Sequence, residues 1–376
     1  MKVLVAGTGF AGKGHTAAFR AARCEVVGIV GRTEHVVRDV AAGLGIPFAS
    51  TDWAAALADL RPDIVSIATP GGAHYDQIKQ AIAAGCHVFC AKPMTTTGNT
   101  ATELHQLAQA KGVKTAFAAS FQYMPSVQHA KRLIAEGTIG EPTEIESISH
   151  FNLERGIPFG CSHRAEDGGG RLDNNLTHSL AIAQTLVDDK ILQISGDVRD
   201  DLGRAPKVSG VHDFAKRCAF IPDDLDDPTL EWGESSVEWS YTVIARLGST
   251  MATQLVSVLF KHGGLVPRFN DDHVVIYGTK GAIHLEDHYG SGALSLYDCK
   301  GWSELPTPAD LANVPSGAGE TEQCWNVLAN FFMRDIKGNT VPTYRTFAQG
   351  ALYQNIIDTI RRSDAWADVT DVEKTA

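Results

Sequence analysis

The sequence predicts an α/β protein in two parts. The first is a doubly wound parallel sheet covered by helices on both faces. The second is built on long, mostly antiparallel strands. Three observations predict this. Over the first 120 residues, short β-rich runs alternate with alanine-rich segments of helical periodicity. Most of those runs are apolar throughout rather than alternating, as strands buried on both faces are. Beyond about residue 122 that rhythm stops and the later β-rich runs are longer.

The expected strands of the first part are 2–7, 25–30, 46–50, 63–69, 87–91 and 115–120. Between them lie expected helices at Gly12–Arg23, Glu34–Leu44, Asp52–Leu60, His74–Ala84 and Asn99–Lys111. Short connections between strand and helix demand parallel strands with crossover helices. The second part opens with a helix, Ser126–Glu136, closed by the turn GTIGEP, and a strand, TEIESISHF. A polar, glycine-rich passage over 155–175 then leads into a helix at Leu176–Val187. Long strands follow at 237–247, 249–260, 273–287 and 293–299, and helices near 320–337 and 344–362 close the chain. The Asp-, Pro- and Gly-rich stretch 200–235 fits no element and reads as an inserted loop. The expected division is 1–122 for the first domain and 123–376 for the second, since 376 residues exceed what one core usually supports.

The composition narrows the function. A net charge of −11 argues against a nucleic-acid partner, which needs a basic face. No run of apolar residues is long enough for a membrane span, and MKVLVAGTGF runs straight into a strand pattern without signal-peptide character. The seven cysteines are scattered, and Cys86 and Cys90 have no second Cys or His pair at ligand spacing. The expectation is reduced thiols in the cytoplasm, with no metal.

GTGFAG, residues 7–12, is G-x-G-x-x-G between the first strand and the first helix. Gly7 permits a tight turn, Gly9 a close approach of a pyrophosphate, and Gly12 close helix–strand packing. Thr8, Phe10 and Ala11 complete the loop at a helix N-terminus, which favours anions. The competing reading is a sheet of this type that binds no nucleotide. The second strand runs into Gly31, Arg32 and Thr33, with glycine where an acid would grip a ribose 2′-hydroxyl. A guanidinium and a hydroxyl there favour NADP over NAD. Alternatively, Arg32 stacks on adenine and both cofactors are accepted.

Thr69, Pro70 and His74 follow the fourth strand, and Lys92 follows the fifth in CAKPMT. All lie at the carboxyl edge, where doubly wound sheets bind ligands. Lys92 there can hold a substrate hydroxyl and stabilise negative charge growing on its oxygen. Taken alone, a lysine is more often a solvated surface residue. In GGGRLDNNLTH, Asn174 and His178 stand four apart, so a helix places both on one face. Histidine is the natural general base for an alcohol proton, although a capping Asn and a core His would give the same spacing. Arg155, His163, Arg164 and Arg171, in a passage that also holds Glu154, Glu166 and Asp167, form either a substrate wall or a salt-bridged loop. Gln122 and Tyr123, just past the sixth strand, are further candidates for touching substrate.

Together GTGFAG, ATPGGAH, AGCHVFCAKPM, GTIGEP, GGGRLDNNLTH and YGTKGAIHLED resemble the Gfo/Idh/MocA oxidoreductases over most of the chain, excepting roughly 190–235. The resemblance implies an N-terminal Rossmann domain and a C-terminal α/β domain with a large open sheet that often forms dimer or tetramer contacts. It implies that Lys92 is the lysine near nicotinamide and substrate, that His178 is the general base, and that Asn174 fills a position often held by aspartate. Two departures are Ala91, where the family has glutamate, and Asn174 itself. The expected activity is an NAD(P)-dependent dehydrogenase acting on a secondary alcohol of a sugar, sugar derivative or cyclitol. The rivals are a glycoside hydrolase working by transient oxidation with a recycled cofactor, and a non-catalytic sugar sensor. Retention of both Lys92 and His178 argues against the sensor.

Overall fold

A computed structural model describes residues 1–150, 157–209, 224–248, 255–263, 271–286, 292–312, 319–339 and 342–369. The first part runs β1 (Lys2–Ala6), α1 (Phe10–Ala21), β2 (Glu25–Val30), α2 (Glu34–Leu44), β3 (Phe48–Ser50), α3 (Trp53–Leu60), β4 (Ile64–Ile67), α4 (His74–Ala83), β5 (His87–Cys90), α5 (Gly98–Lys111) and β6 (Thr115–Phe117). The strands form one six-stranded parallel sheet in the order β3-β2-β1-β4-β5-β6. The order reverses between β1 and β4, which opens a crevice outside the carboxyl ends of these two strands. Local chemistry marks the helix starts. The Asp52 carboxylate caps α3 by accepting from Ala55 N at 2.9 Å, and Thr97 caps α5. Gly45 and Gly112 end α2 and α5 in left-handed conformation.

The second part runs α6 (Pro125–Ala135), β7 (Pro142–His150), α7 (Thr177–Val187), β8 (Ile191–Arg199), β9 (Arg204–Pro206), β10 (Trp232–Glu234), β11 (Ser240–Leu247), β12 (Val256–Gly263), β13 (Asp271–Gly278), β14 (Ala282–Leu285), β15 (Leu294–Tyr297), β16 (Trp302–Leu305), α8 (Ala309–Ala312), α9 (Glu320–Ile336), α10 (Phe347–Arg362) and β17 (Ala367–Asp368). Nine strands pair as β16-β15-β14-β13-β7-β12-β11-β8-β17. β7 and β12 run parallel, and the remaining neighbours are antiparallel. Along β7, Ile145, Ser147 and Ser149 point inward, while Glu144 and Glu146 point out, so one face is covered and the other open.

Three readings change with the structure in hand. The expected strand 273–287 is a hairpin, β13 and β14, because Thr279–Gly281 turns the chain and a Cβ on Gly281 would strike Tyr297 O at 2.3 Å. The expected strand 249–260 starts at Val256, with 249–254 outside the described residues. Part of the unassigned stretch forms the small ribbon β9–β10, and 210–223 is outside the described residues. The closing helices also return to the first sheet. Trp325 of α9 lies where a Cβ on Gly14 of α1 would sit, 2.0 Å from its ring. On α10, Gly350 lies against Met94 and Phe117. This return buries Trp325, Phe332 and Tyr344 in the same core as Phe19 and Phe89.

Candidate active site

The crevice begins at the glycine loop. Gly7 has φ +114°, and a Cβ on it would meet Ala68 O at 2.3 Å. A Cβ on Gly12 would meet Gly7 O at 2.0 Å, so only glycine lets α1 sit this close to the loop. Gly9 differs: no atom comes within 4 Å of the place its Cβ would take. The protein itself therefore does not require glycine there, whereas a pyrophosphate pressed against the backbone would. Gly9 is the N-cap of α1 without a side-chain cap, and the first turn carries no acid, so its N–H groups suit an anion. These residues fit a dinucleotide. At the end of β2, a Cβ on Gly31 would stand 2.7 Å from Thr8 Cγ2, while Arg32 is exposed and Thr33 makes no side-chain cap bond to α2.

His74 is fully buried and ties two strand ends together. Its Nε2 lies 2.7 Å from Thr69 O and its Nδ1 2.9 Å from Pro93 O. Burial pushes its pKa down, against the pull of those carbonyls. Thr69 donates its hydroxyl to Gln77 at 2.8 Å. This clasp ties the end of β4 to the backbone that follows Lys92. The loop over Glu166–Gly168 then closes against the same turn. A Cβ on Gly72 would meet Glu166 O at 2.2 Å, and one on Gly168 would meet Pro93 Cγ at 2.7 Å.

Across this contact Lys92 Nζ donates to Asn174 Oδ1. Asn174 lies in a π-turn, Leu172–Leu176, which runs straight into α7. Such one-turn insertions are frequent at functional sites. His178, the second residue of α7, is 5% exposed and stacks on Phe121, with ring centroids 4.1 Å apart at 20°. The structure thus gathers Lys92, Asn174, His178 and Phe121 at the carboxyl edge of β5 and β6.

Other candidates stand elsewhere. Gln122 is buried, donating to Ala119 O at 3.2 Å and accepting from Thr185 Oγ1 at 2.8 Å. Tyr123 packs on Phe331, and burial raises its pKa. His163 is fully buried between Phe159 and Trp239. Arg164 is held by Asp167, with its Nε 2.6 Å from Oδ2, and lies 3.5 Å from Glu166. Arg171 lies over the Trp239 indole at 4.7 Å. Arg155 falls in 151–156, outside the described residues.

Sequence reasoning passed over Phe121, although it adjoins Gln122. It also passed over a buried ion cluster beneath the π-turn, formed by Asp173, Glu238 and Arg361, with Gln354. Asp173 sits in the quoted motif beside Asn174, which was the available signal. Nothing local marks Arg361, 188 residues away.

A glycine loop shaped for a dinucleotide, with a lysine at the crevice and a second α/β domain over it, defines a nicotinamide-dependent oxidoreductase. Residues 1–119 match the oxidoreductase family with an NAD-binding Rossmann fold, and residues 127–284 match the GFO/IDH/MocA C-terminal domain. The chain belongs to the Gfo/Idh/MocA oxidoreductase family and is an NAD(P)-dependent oxidoreductase. It is 25% identical to levoglucosan dehydrogenase of Pseudarthrobacter phenanthrenivorans, over 99% of both chains. D-xylose 1-dehydrogenase (NADP⁺) 2 of Haloferax volcanii is 27% identical, over 57% of this chain and 66% of that protein. The fold matches a levoglucosan dehydrogenase solved with NADH and L-sorbose at TM-score 0.80, with 21% identity and 99% of each chain covered. Among the described residues, no helix is long and apolar enough to cross a membrane.

Proposed function

We propose that this protein is a dehydrogenase for a secondary alcohol, or the matching ketone, of a sugar, sugar derivative or cyclitol. The observation that carries the reading is the Lys92–Asn174 bond, made across the two halves of the chain, with His178 one turn further along. Relatives named as dehydrogenases of xylose, levoglucosan and glucosides support the carbohydrate class. In this reading the nicotinamide, when bound, exchanges hydride with the substrate carbon. Lys92 holds the hydroxyl oxygen and steadies charge on it. Asn174 fixes the ammonium. His178, with its ring plane set by Phe121, takes the hydroxyl proton. Burial between the domains holds these groups in reacting geometry.

Within the same reading NADP is preferred. Gly31 offers no carboxylate to repel a 2′-phosphate, and exposed Arg32 offers a guanidinium. The chain pairs with copies of itself through the open face of the nine-stranded sheet, where Ile244, Tyr277 and Trp302 are exposed. Its setting is the cytoplasm, consistent with the free thiols of Cys24, Cys86 and Cys90. The test is absorbance at the reduced-nicotinamide band with each cofactor and a panel of sugars, acidic sugars, cyclitols and glycosides. Net reduction of cofactor is the expected result. Release of aglycone without net reduction would replace the dehydrogenase by a glycoside hydrolase.

A further inference from the structure

The glycine turn and the π-turn that carry Asn174 are built on a buried cluster of charge. Glu238, just before β11, is 7% exposed and Asp173 is 0% exposed. Both face one guanidinium, that of Arg361 near the end of α10. Arg361 Nη2 donates to Asp173 Oδ2 at 2.8 Å and to Glu238 Oε1 at 2.9 Å, and Nε donates to Glu238 Oε2 at 3.1 Å. The same Nη2 lies 3.3 Å from Gly169 O. Gln354, also on α10, donates to Asp173 Oδ1 at 2.9 Å.

The backbone of the motif is caught in the same cluster. Leu172 N donates to Glu238 Oε1 at 3.0 Å, and Arg171 N donates to Glu238 O at 3.1 Å. Gly170 has φ +99°, and a Cβ there would meet Glu238 Oε1 at 2.3 Å. Asn174 N in turn donates to Gly170 O at 3.2 Å. Gly169, Arg171, Leu172 and Asp173 are thereby bound to the cluster directly, and Asn174 is bound to Gly170, which packs against Glu238. Only then does the Asn174 side chain reach Lys92.

We propose that Arg361 and Glu238 are positioning residues that, through Asp173 and the two turns, hold Asn174 in place to orient the Lys92 ammonium. They touch neither substrate nor cofactor, and their effect passes through the backbone of residues 169–174. The proposal rests on the assignment of Lys92 and Asn174 to the reacting side of the crevice.

Glu238→Gln tests it with little change of shape. Glu238 Oε1 accepts from Leu172 N and Arg361 Nη2, and Oε2 accepts from Arg361 Nε. Either orientation of an amide sets an NH₂ against one of these donors. The fold has reason to survive, because Asp173 and Arg361 remain as a charge-balanced pair. Arg361→Lys is the second variant: it keeps the charge and loses the fork.

The measurement is the ¹³Cε resonance of Lys92 in protein labelled with [ε-¹³C]lysine, assigned by its loss in Lys92→Arg. Asn174→Leu sets the size of the shift when the amide partner is removed. We expect Glu238→Gln and Arg361→Lys to move the resonance in the same direction by about half that shift or more, while NADH binding stays at the wild-type level. Arg362→Lys, on the exposed side of the same helix, leaves it in place. A Lys92 resonance unmoved in both variants, with only the melting temperature lowered, would overturn the proposal and leave the cluster a support of the fold. The readout needs no turnover, so failure of the sugar-dehydrogenase reading leaves it standing. Once a substrate is in hand, the same variants should lower kcat about tenfold with KM nearly constant, as loss of reacting geometry does.

Discussion

Gly9→Ala separates what the protein needs from what its cofactor needs. At Gly9 φ is −79° and ψ −166°, an extended conformation open to alanine, and no atom stands within 4 Å of the new Cβ. The change at the N-cap of α1 therefore costs a few tenths to about 1 kcal/mol of stability. Gly12→Ala is the steric opposite. Its Cβ would lie 2.0 Å from Gly7 O, a backbone atom that cannot swing aside, so the α1–β1 crossing must open. Overpacking of that kind costs about 1–3 kcal/mol. Cofactor affinity should follow a different rule. A methyl at Gly9 stands where a pyrophosphate oxygen approaches the helix N-terminus, and losing that approach should weaken binding about 100-fold, or about 2.7 kcal/mol. The assay is an NADH fluorescence titration beside thermal melts of wild type, Gly9→Ala and Gly12→Ala. Gly9→Ala should melt near wild type and bind NADH about 100-fold more weakly, whereas Gly12→Ala should melt early. If Gly9→Ala bound NADH normally, the phosphate site would not be at this loop.

Lys92→Ala should lower turnover by about 10²–10³-fold while the NADH dissociation constant stays within a factor of about two, read by steady-state kinetics and titration. Arg32→Ala should raise KM for NADP about tenfold and leave KM for NAD nearly unchanged, since one charge-assisted contact to the 2′-phosphate is lost. Ile244→Glu with Tyr277→Glu should yield a smaller particle by light scattering, because two charges would be buried on the open sheet face. Asp173 gives a pH test: burial lifts its carboxyl from the ordinary 3.8 to about 6, ahead of the opposing pull of Arg361. A group so raised contributes stability that is fully present below about pH 4 and is lost as pH rises through about 6, a span worth about 3 kcal/mol. Urea midpoints from pH 5 to 8 should show Asp173→Asn gaining on wild type as pH rises; a constant gap would sink this assignment.

The first sheet was legible because its signals are local. Apolar runs bounded by glycine turns name the strands, and Asp52, Thr97, Gly45 and Gly112 mark helix ends within one turn of themselves. The glycine loop was legible for the same reason. The hairpin of β13 and β14 was hidden because both arms are equally apolar and the turn is short. The π-turn was hidden because one extra backbone residue leaves no compositional trace, so Asn174 and His178 read as simple α-helical neighbours. The contacts of Arg361 with Asp173 and of Phe121 with His178 depend on tertiary closure across the chain, which no window of sequence contains. Arg164 shows the converse: the charges alternating around it in sequence are its ion-pair partners in space.

The two departures from the family pattern acquire a common sense in the structure. Alanine at 91 and asparagine at 174 leave the Lys92 ammonium with an amide partner. The one carboxylate on the same turn, that of Asp173, is committed elsewhere: it faces Arg361 and Gln354. An amide orients an ammonium without cancelling its charge, whereas a carboxylate at the same distance would offset most of its field. In the proposed reaction, charge grows on the substrate oxygen as its proton leaves. An ammonium held by an amide stabilises that oxygen more than the same ammonium held by a carboxylate at that position. Asn174→Asp is then no simple restoration. It should weaken the field at the oxygen while adding a half-buried carboxylate next to Asp173, which already shares one guanidinium with Glu238. The expected outcome is a fall in both kcat and melting temperature, measured in the same preparation. A rise in kcat would show that an acid at this position, and not the amide, is what the chemistry wants.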